Sequence, residues 1–271
     1  MTSVGETRIA VVGGGRMGEA IVAGLLSAGV AQPGELVVAE PSAERARVFE
    51  AHGVRVLPDA HEAVPGANLV ILAVKPQVID AVAAHLAQGL DPGVVVVSIA
   101  AGITCARLES VLPAGTVVVR VMPNTPALVG EGMSVVSGGT EADAASVERV
   151  RALFESLGRA IILEERYQDA ATAISGSGPA YVALFVDALA RAGVRQGLSR
   201  EVAQALALQT MRGTVALIEG TGTHPAAIID AVSSPGGTTI AAVEALETRG
   251  FRRAVFEAVD AAVKRSRELG A

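Results

Sequence analysis

The chain has 271 residues, 51% apolar and 18% charged, which fits one large α/β unit or two ordinary domains and excludes a disordered chain. A formal net charge of −6, with no Lys/Arg cluster or aromatic stacking platform, argues against nucleic-acid binding. The single Cys105 excludes an internal disulfide, no apolar signal segment precedes the first strand, and the apolar stretch 180–186 is too short for a membrane span, so we expect a cytoplasmic protein that does not enter a membrane.

The first 160 or so residues alternate short β-branched runs with helical patterns. Nearly unbroken apolar runs are typical of strands that are buried on both faces in a parallel sheet. The alternation predicts a doubly wound, Rossmann-type α/β domain over residues 1–164, which residues 147–157 and 160–163 close. We expect strands at 8–12, 35–39, 68–74, 93–99 and 116–121, and helices at 17–28, 43–51, 77–88 and 104–112.

From residue 164 onward the strand signal disappears, which predicts an all-helical domain over residues 165–271. The patterns at 180–194 and 203–218 are apolar on most of their surface, and a lone peripheral helix cannot bury such a surface. We therefore expect this domain to pack against a second copy of itself as a homodimer. The predicted helices are 181–194, 200–219, 225–232, 239–246 and 251–269.

A glycine-rich segment, Gly13-Gly-Gly-Arg-Met-Gly18, follows the first predicted strand and opens a helix. In this context the pattern is typical of a dinucleotide site, although a glycine-rich turn without a ligand is the alternative. Gly13 permits the tight turn, Gly15 lets the backbone approach the pyrophosphate, and Gly18 lets the helix pack closely. The helix N-terminus then offers N–H groups to the phosphates.

Other strand ends supply further candidates for the same site. Glu40 ends the second predicted strand, where an acidic side chain usually accepts hydrogen bonds from the adenosine ribose. Its charge would repel a 2′-phosphate, whereas Arg45 and Arg47 would attract one, so the residues leave NADH and NADPH both open. The predicted cofactor-binding set is Val12, Gly13, Gly14, Gly15, Arg16, Met17, Gly18, Glu40, Val74, Lys75, Pro76, Ala101 and Asn124.

Two C-terminal segments, 175–179 and 233–239, combine small hydroxyl residues with glycine directly before predicted helices. Free N–H groups at such helix starts favour a carboxylate, although ordinary helix capping is the alternative. No His lies beside a motif as a general base, no carboxylate pair has catalytic spacing, and no metal-ligand cluster is evident. We therefore expect a small anionic substrate, no metal, and a reaction that needs little acid–base help.

The motifs, taken together, resemble the pyrroline-5-carboxylate reductase family over essentially the whole chain. They are GGGRMG at 13–18, AVKP at 73–76, MPNTP at 122–126, SGSGPAY at 175–181 and DAVSSPGGTTI at 230–240. The resemblance implies a cofactor domain followed by a helical dimerisation domain, often assembled as a ring of dimers. It also implies reduction of 1-pyrroline-5-carboxylate to L-proline, the last step of proline biosynthesis, usually with NADPH and with NADH as the alternative.

The resemblance also implies roles for individual residues. Thr239 falls where the family places the hydroxyl that hydrogen-bonds the ring nitrogen, and Asn124, with Met122, lines the nicotinamide end. Two positions depart from the usual pattern, because many members carry a small residue at Glu40 and an Asn at Ala60. The implied substrate-binding residues are Ser234, Gly236, Gly237, Thr238 and Thr172.

This chemistry fits the absence of a catalytic histidine. A protonated cyclic imine accepts hydride directly, so the protein mainly orients and neutralises the substrate, and Thr239 orients or relays rather than acting as a true acid. One alternative is a hydroxyacid dehydrogenase or general imine reductase, which usually places a Lys or Asp on the long inter-domain helix; residues 181–194 offer only Asp187 and Arg191. The other is a non-catalytic cofactor-binding regulator, which has no need of a second anion site.

Overall fold

The computed structural model describes residues 8–270 and divides them into two compact units. The first unit comprises residues 8–177 together with 262–270, and the second comprises residues 178–261. Residues just beyond 164 belong to the first unit because they pack on its sheet: the Gln168 side chain is buried and its Nε2 donates to the Val135 carbonyl at 3.1 Å. The division at residue 164 follows the loss of strand signal and stays a prediction.

The first unit is built on one sheet of eight strands in the order β3-β2-β1-β4-β5-β6-β7-β8. All neighbouring pairs are parallel except β6 with β7. The strand order reverses beside β1, which creates the crevice where doubly wound sheets bind their ligands. The strands are β1 Ile9–Val12, β2 Leu36–Ala39, β3 Arg55–Leu57, β4 Leu69–Leu72, β5 Val95–Ser98, β6 Val117–Met122, β7 Gly132–Gly138 and β8 Gly158–Ile162.

Helices cover both faces of this sheet, because successive side chains along a strand point to opposite faces. Ile9 and Val11 of β1 pack into one apolar cluster, and Ala10 and Val12 pack into another. Side chains of Ser42, Asp59, Thr104 and Asp143 cap four of the helices. The helices are α1 Arg16–Ser27, α2 Ala43–Glu50, α3 Ala60–Ala63, α4 Ile79–Leu86, α5 Cys105–Glu109, α6 Ala144–Phe154 and α7 Gln168–Ala171.

The doubly wound fold is confirmed, with additional strands. β3 is only three residues long and half-exposed, so it carries no clear apolar run. β7 contains two glycines and two serines, which weaken its strand pattern. The predicted helix at 77–88 is shorter in the structure, because Pro76–Val78 forms a 3₁₀ turn before α4.

The expectation of a free helix N-terminus at residues 175–179 is wrong. Residues Thr172–Gly176 form a π-helical turn that continues α7, and the Ser177 N–H donates to the Thr172 carbonyl at 2.9 Å. The apolar pattern indicates a helix only from residue 180, whereas the helical run extends through this segment, from Glu165 to Arg195. This segment is therefore not a free helix N-terminus.

The second unit is helical, as predicted, and its densest packing joins α8 to α9. Ala190, Ala203 and Ala207 are buried in this seam, and a side chain at Gly193 would meet the Ala203 Cβ at 2.9 Å. Many large apolar side chains of this unit are exposed; Leu184 and Phe256 are 71% and 69% exposed. The helices are α8 Gly178–Arg195, α9 Arg200–Thr221, α10 Pro225–Val232, α11 Thr238–Thr248 and α12 Phe251–Gly270, of which residues 262–270 belong to the first unit.

One helical run of the described chain, Glu165–Arg195, is long and apolar enough to cross a membrane by length and composition alone. The expectation that no segment reaches this length was wrong, because it counted only the apolar stretch 180–186 and missed the turns on either side. Apolar helices of soluble oligomers meet the same criteria, so this run by itself does not indicate a membrane protein.

Candidate active site

The glycine-rich loop lies where β1 ends, at the reversal of strand order. Gly13 has φ 110°, and a Cβ there would lie 2.6 Å from the Ala73 carbonyl oxygen. A Cβ at Gly18 would collide with the Gly13 carbonyl, so the helix packs closely on the loop. At Gly15, in contrast, a Cβ would meet nothing within 4 Å. Gly13 and Gly18 thus serve the fold, and Gly15 leaves open space beside the helix start.

That open space adjoins the N-terminus of α1, which Gly15 caps without any side-chain hydrogen bond. The first N–H groups of a helix have no intrahelical partner, and the helix dipole favours negative charge at this end. The loop and helix start therefore fit a pyrophosphate, in agreement with the sequence pattern.

A cleft of about 620 Å³ opens from this loop across the ends of β1, β2, β3 and β4. It brings together six of the predicted cofactor residues: Val12, Gly13, Gly15, Glu40, Val74 and Lys75. The other seven lie outside its lining: Gly14, Arg16, Met17, Gly18, Pro76, Ala101 and Asn124. The sequence patterns did not identify the residues after β3, because β3 itself was missed, and the predicted helix at 77–88 gave no sign of which of its side chains face the cleft. The additional lining residues are Ala39, Pro41, Pro58, Asp59, Ala60, Ala73, Val78, Val82 and His85.

The β3 side of the cleft carries a histidine–carboxylate pair. His85 Nε2 lies 2.7 Å from Asp59 Oδ1, and Asp59 also accepts from the His61 N–H at 2.8 Å. The hydrogen bond from His85, followed by that from His61, lowers the pKa of Asp59 below its usual value. Asp59 is therefore an anion at neutral pH and keeps His85 turned towards it.

Asn124 lies after β6 and joins three segments of the first unit. Its Nδ2 donates to the Ser175 carbonyl at 3.0 Å, and its Oδ1 accepts from the Met133 N–H at 2.8 Å. The residue is buried, so its amide serves these backbone groups. Three residues before Ser175, Thr172 is buried and donates its hydroxyl to the Gln168 carbonyl at 2.7 Å. Asn124 therefore fixes the π-helical turn relative to the loop after β6.

We expect Asn124→Ala to lower the free energy of unfolding by about 1–3 kcal/mol, because it leaves two backbone groups unpaired. Asn124→Asp should be as damaging at neutral pH, since a carboxylate oxygen then faces the Ser175 carbonyl, and should regain stability at mildly acidic pH. The sign follows because burial and the facing carbonyl raise the pKa of the new Asp, so stability falls as pH rises through that value. Urea unfolding of both variants at neutral and at mildly acidic pH measures these changes. If Asn124→Asp loses the same free energy of unfolding at the two pH values, the prediction is contradicted.

An ionic cluster surrounds the buried Arg120 of β6. Glu165 Oε1 accepts from the Cys105 N–H at 2.8 Å and from Arg120 Nη1 at 3.3 Å, and Asp169 accepts from the Ser266 hydroxyl at 2.7 Å. Burial and the nearby Glu165 raise the pKa of the Cys105 thiol to about 12. The thiol is therefore protonated at neutral pH and is unsuited to act as a nucleophile.

Within residues 8–270, no group of three His, Cys, Asp or Glu side chains is arranged to hold a metal.

In the second unit, the segment before α11 forms a tight turn. The Gly237 N–H donates to the Ser234 carbonyl at 2.9 Å, and Gly236 has φ 65°, which with Pro235 fits a type II turn. The turn therefore uses the Gly237 N–H, and the assignment of Gly236 and Gly237 to the substrate stays a prediction. The free donors are those of the first turn of α11, which begins at Thr238.

Side chains around this turn add further hydroxyls. Thr239 is half-buried, and Ser234 and Thr238 are exposed. Ser233 was not singled out by the sequence, yet its Oγ is buried without a hydrogen-bond partner in the described chain. A buried hydroxyl without a partner needs an explanation, and a bound polar ligand is one.

The chain resembles known proteins over nearly its whole length. A family model described as pyrroline-5-carboxylate reductase dimerisation matches residues 165–269, and one described as NADP oxidoreductase, coenzyme F420-dependent, matches residues 8–102. The pyrroline-5-carboxylate reductase of Synechocystis sp. is 46% identical, covering 97% of this chain and 98% of that protein. That of Arabidopsis thaliana is 43% identical, covering 97% and 95%.

Two solved structures agree with these relatives. Pyrroline-5-carboxylate reductase of Coxiella burnetii has a TM-score of 0.92 at 32% identity, covering 98% of this chain and 100% of that one. The Plasmodium falciparum enzyme, solved with NADP bound, has a TM-score of 0.90 at 32% identity and covers 98% of both chains. These matches set aside the two alternatives from the sequence, a dehydrogenase of another class and a non-catalytic cofactor-binding regulator. The chain belongs to the pyrroline-5-carboxylate reductase family, whose members reduce 1-pyrroline-5-carboxylate to L-proline with hydride from NAD(P)H.

Proposed function

We propose that this chain catalyses its reduction with two anion-binding helix starts, one for the dinucleotide and one for the substrate. The observation that carries the proposal is the uncapped N-terminus of α1 beside Gly15, in a chain nearly half identical to a pyrroline-5-carboxylate reductase along its whole length. Val12 and the 13–18 loop would hold the pyrophosphate, and Glu40, Val74 and Lys75 would contact the ribose groups. Arg16, Met17, Pro76, Ala101 and Asn124 complete the proposed set.

NADPH is the proposed cofactor, with NADH as a second substrate of the same cleft. The NADP oxidoreductase model over residues 8–102 and the NADP bound by the Plasmodium falciparum relative support this choice. When bound, the nicotinamide supplies the hydride. The glycine positions fit such a group, because Gly15 offers space where a side chain would otherwise stand.

The substrate end is proposed to lie at the turn before α11. The first N–H groups of α11, with Ser234 and Thr238, would bind the substrate carboxylate, since free helix N–H groups bind anions. Gly236 and Gly237 would form the turn and bring its backbone close to the ligand. Thr172 is a further proposed substrate-binding residue, which the family resemblance supports.

Thr239 is the proposed catalytic residue. Its hydroxyl would hydrogen-bond the ring nitrogen and hold the C=N bond in the orientation for hydride transfer. A threonine hydroxyl is too weak an acid to protonate the imine outright, and the substrate nitrogen is basic enough to carry its own proton. The protonated Cys105 and the Asp59–His85 pair have no role in this step.

The working form is proposed to be a cytoplasmic homodimer, assembled further into a ring of dimers. The dimerisation family model and the exposed apolar side chains of α8, α9 and α12 support association, because apolar surface of this extent is normally covered by a partner. The cytoplasmic location is supported by the relatives, which are biosynthetic reductases.

The direct test is a turnover assay with 1-pyrroline-5-carboxylate and each reduced nicotinamide in turn, with proline measured as the product. We expect one proline for each cofactor oxidised, and no turnover with 3-hydroxyacids in the reverse direction. Oxidation of cofactor without proline formation, or turnover of the hydroxyacids alone, would reject the proposal.

A further inference from the structure

The peptide of Gly14 is held at both ends by side chains from the region after β2. Glu40 Oε2 accepts from the Gly14 N–H at 2.8 Å, and Glu40 Oε1 accepts from the Ser42 N–H at 2.8 Å. A Cβ at Gly14 would lie 2.8 Å from Glu40 Oε2, so glycine is required for this contact. The Glu40 carboxylate is thus fixed in place and also lines the dinucleotide cleft.

The neighbouring positive charge is directed elsewhere. Arg45 Nε and Nη2 donate to the Gly14 carbonyl at 2.9 and 2.7 Å, and Nη2 also lies 2.7 Å from Glu19 Oε2. Neither Arg45 nor Arg47 lines the cleft, whose charged residues near the end of β3 are Asp59 and its partner His85. Arg45 therefore braces the glycine loop and has its charge offset by Glu19.

We propose that Glu40 sets the cofactor selectivity of this chain by disfavouring the 2′-phosphate of NADPH. The proposal rests on the proposed dinucleotide site. A carboxylate has about four lone-pair positions, and two are used by the Gly14 and Ser42 N–H groups. The remaining two accept from ribose hydroxyls, which NADH offers at both the 2′ and 3′ positions.

A 2′-phosphate has the opposite requirement. It needs donors, and the Gly14 and Ser42 N–H groups beside Glu40 are already bonded to its carboxylate. It also brings a second negative charge next to a fixed carboxylate, where like charges a few ångströms apart repel strongly. Glu40 thus competes with the phosphate for donors and repels it as well, so NADPH binds this chain less well than the cleft would otherwise allow.

The test compares equilibrium binding of NADP⁺ and NAD⁺ by calorimetry in the parent chain and in Glu40→Gln, with kcat/KM for both reduced cofactors alongside. Gln keeps an acceptor for the Gly14 N–H but removes the charge. We expect the ratio of the NADP⁺ to the NAD⁺ dissociation constant to fall by roughly tenfold or more in Glu40→Gln. Glu40→Ser, which also frees the two N–H groups, should lower it further.

Glu50→Gln is the matched control, because it removes the same charge at the far end of α2, outside the cleft. It should leave the ratio within about twofold of the parent value. An unchanged ratio in both Glu40 variants, or an equal change in Glu50→Gln, would overturn the proposal. So would a parent chain that binds NADP⁺ much more than about tenfold tighter than NAD⁺, a measurement that needs no variant to fold. Failure of both dinucleotides to bind would instead reject the dinucleotide site itself.

Discussion

Gly15→Ala should lose dinucleotide binding while remaining as stable as the parent chain. Its backbone, at φ −68° and ψ −177°, is accessible to alanine, and nothing lies within 4 Å of the added Cβ. Replacing such a glycine usually stabilises a protein by about 0.4–1 kcal/mol, because the unfolded chain loses freedom. The same methyl group occupies the space proposed for the pyrophosphate. We expect a loss of about 2 kcal/mol or more in binding, roughly 30-fold in the dissociation constant.

Thermal unfolding and calorimetric titration with NADP⁺ and NAD⁺ measure the two effects separately. Gly34→Ala is the matched control, because Gly34 also has open space around it but lies outside the cleft. It should bind both dinucleotides like the parent. Gly13→Ala should instead be unstable, since φ is 110° and the Cβ would meet the Ala73 carbonyl. If Gly15→Ala binds as tightly as the parent, the pyrophosphate does not lie at this loop.

The sequence predicts the central strands well, because burial on both faces makes them continuous apolar runs. β1, β4 and β5 are fully buried at every position. β3 and β7 escape prediction because short or serine- and glycine-containing strands are defined by the neighbours they pair with. The π-helical turn at 172–176 escapes for a similar reason: the buried amide of Asn124, from a distant part of the chain, bonds its backbone.

The candidate site shows the same limit. The glycine loop is predictable, since the fold shows the close contacts expected at Gly13 and Gly18 and the open space expected at Gly15. The Glu40 contacts are not, because a residue at a strand end gives no sign of which backbone N–H groups it will accept from. Likewise, the glycine and proline before α11 indicate a turn, but not that the turn uses the Gly237 N–H.

Thr239→Ala should lower kcat/KM for the pyrroline substrate by roughly 30-fold or more, about 2 kcal/mol, the usual contribution of a hydrogen bond to a charged group. Thr239→Ser should keep most of the activity, because it retains the hydroxyl. The loss should lie mainly in kcat, since orientation of the C=N bond matters most in the transition state. Steady-state kinetics with saturating NADPH separate the two constants.

Thr248→Ala is the control, because Thr248 ends the same helix, α11, and is exposed. It should behave like the parent in both kinetics and thermal unfolding. Because the Thr239 side chain is half-buried, a stability change in Thr239→Ala must be measured as well, so that a folding defect is not mistaken for a catalytic one. A folded Thr239→Ala variant with the parental kcat/KM would mean that the ring nitrogen is oriented by another group, and the buried, unpartnered Ser233 hydroxyl would be the next residue to test.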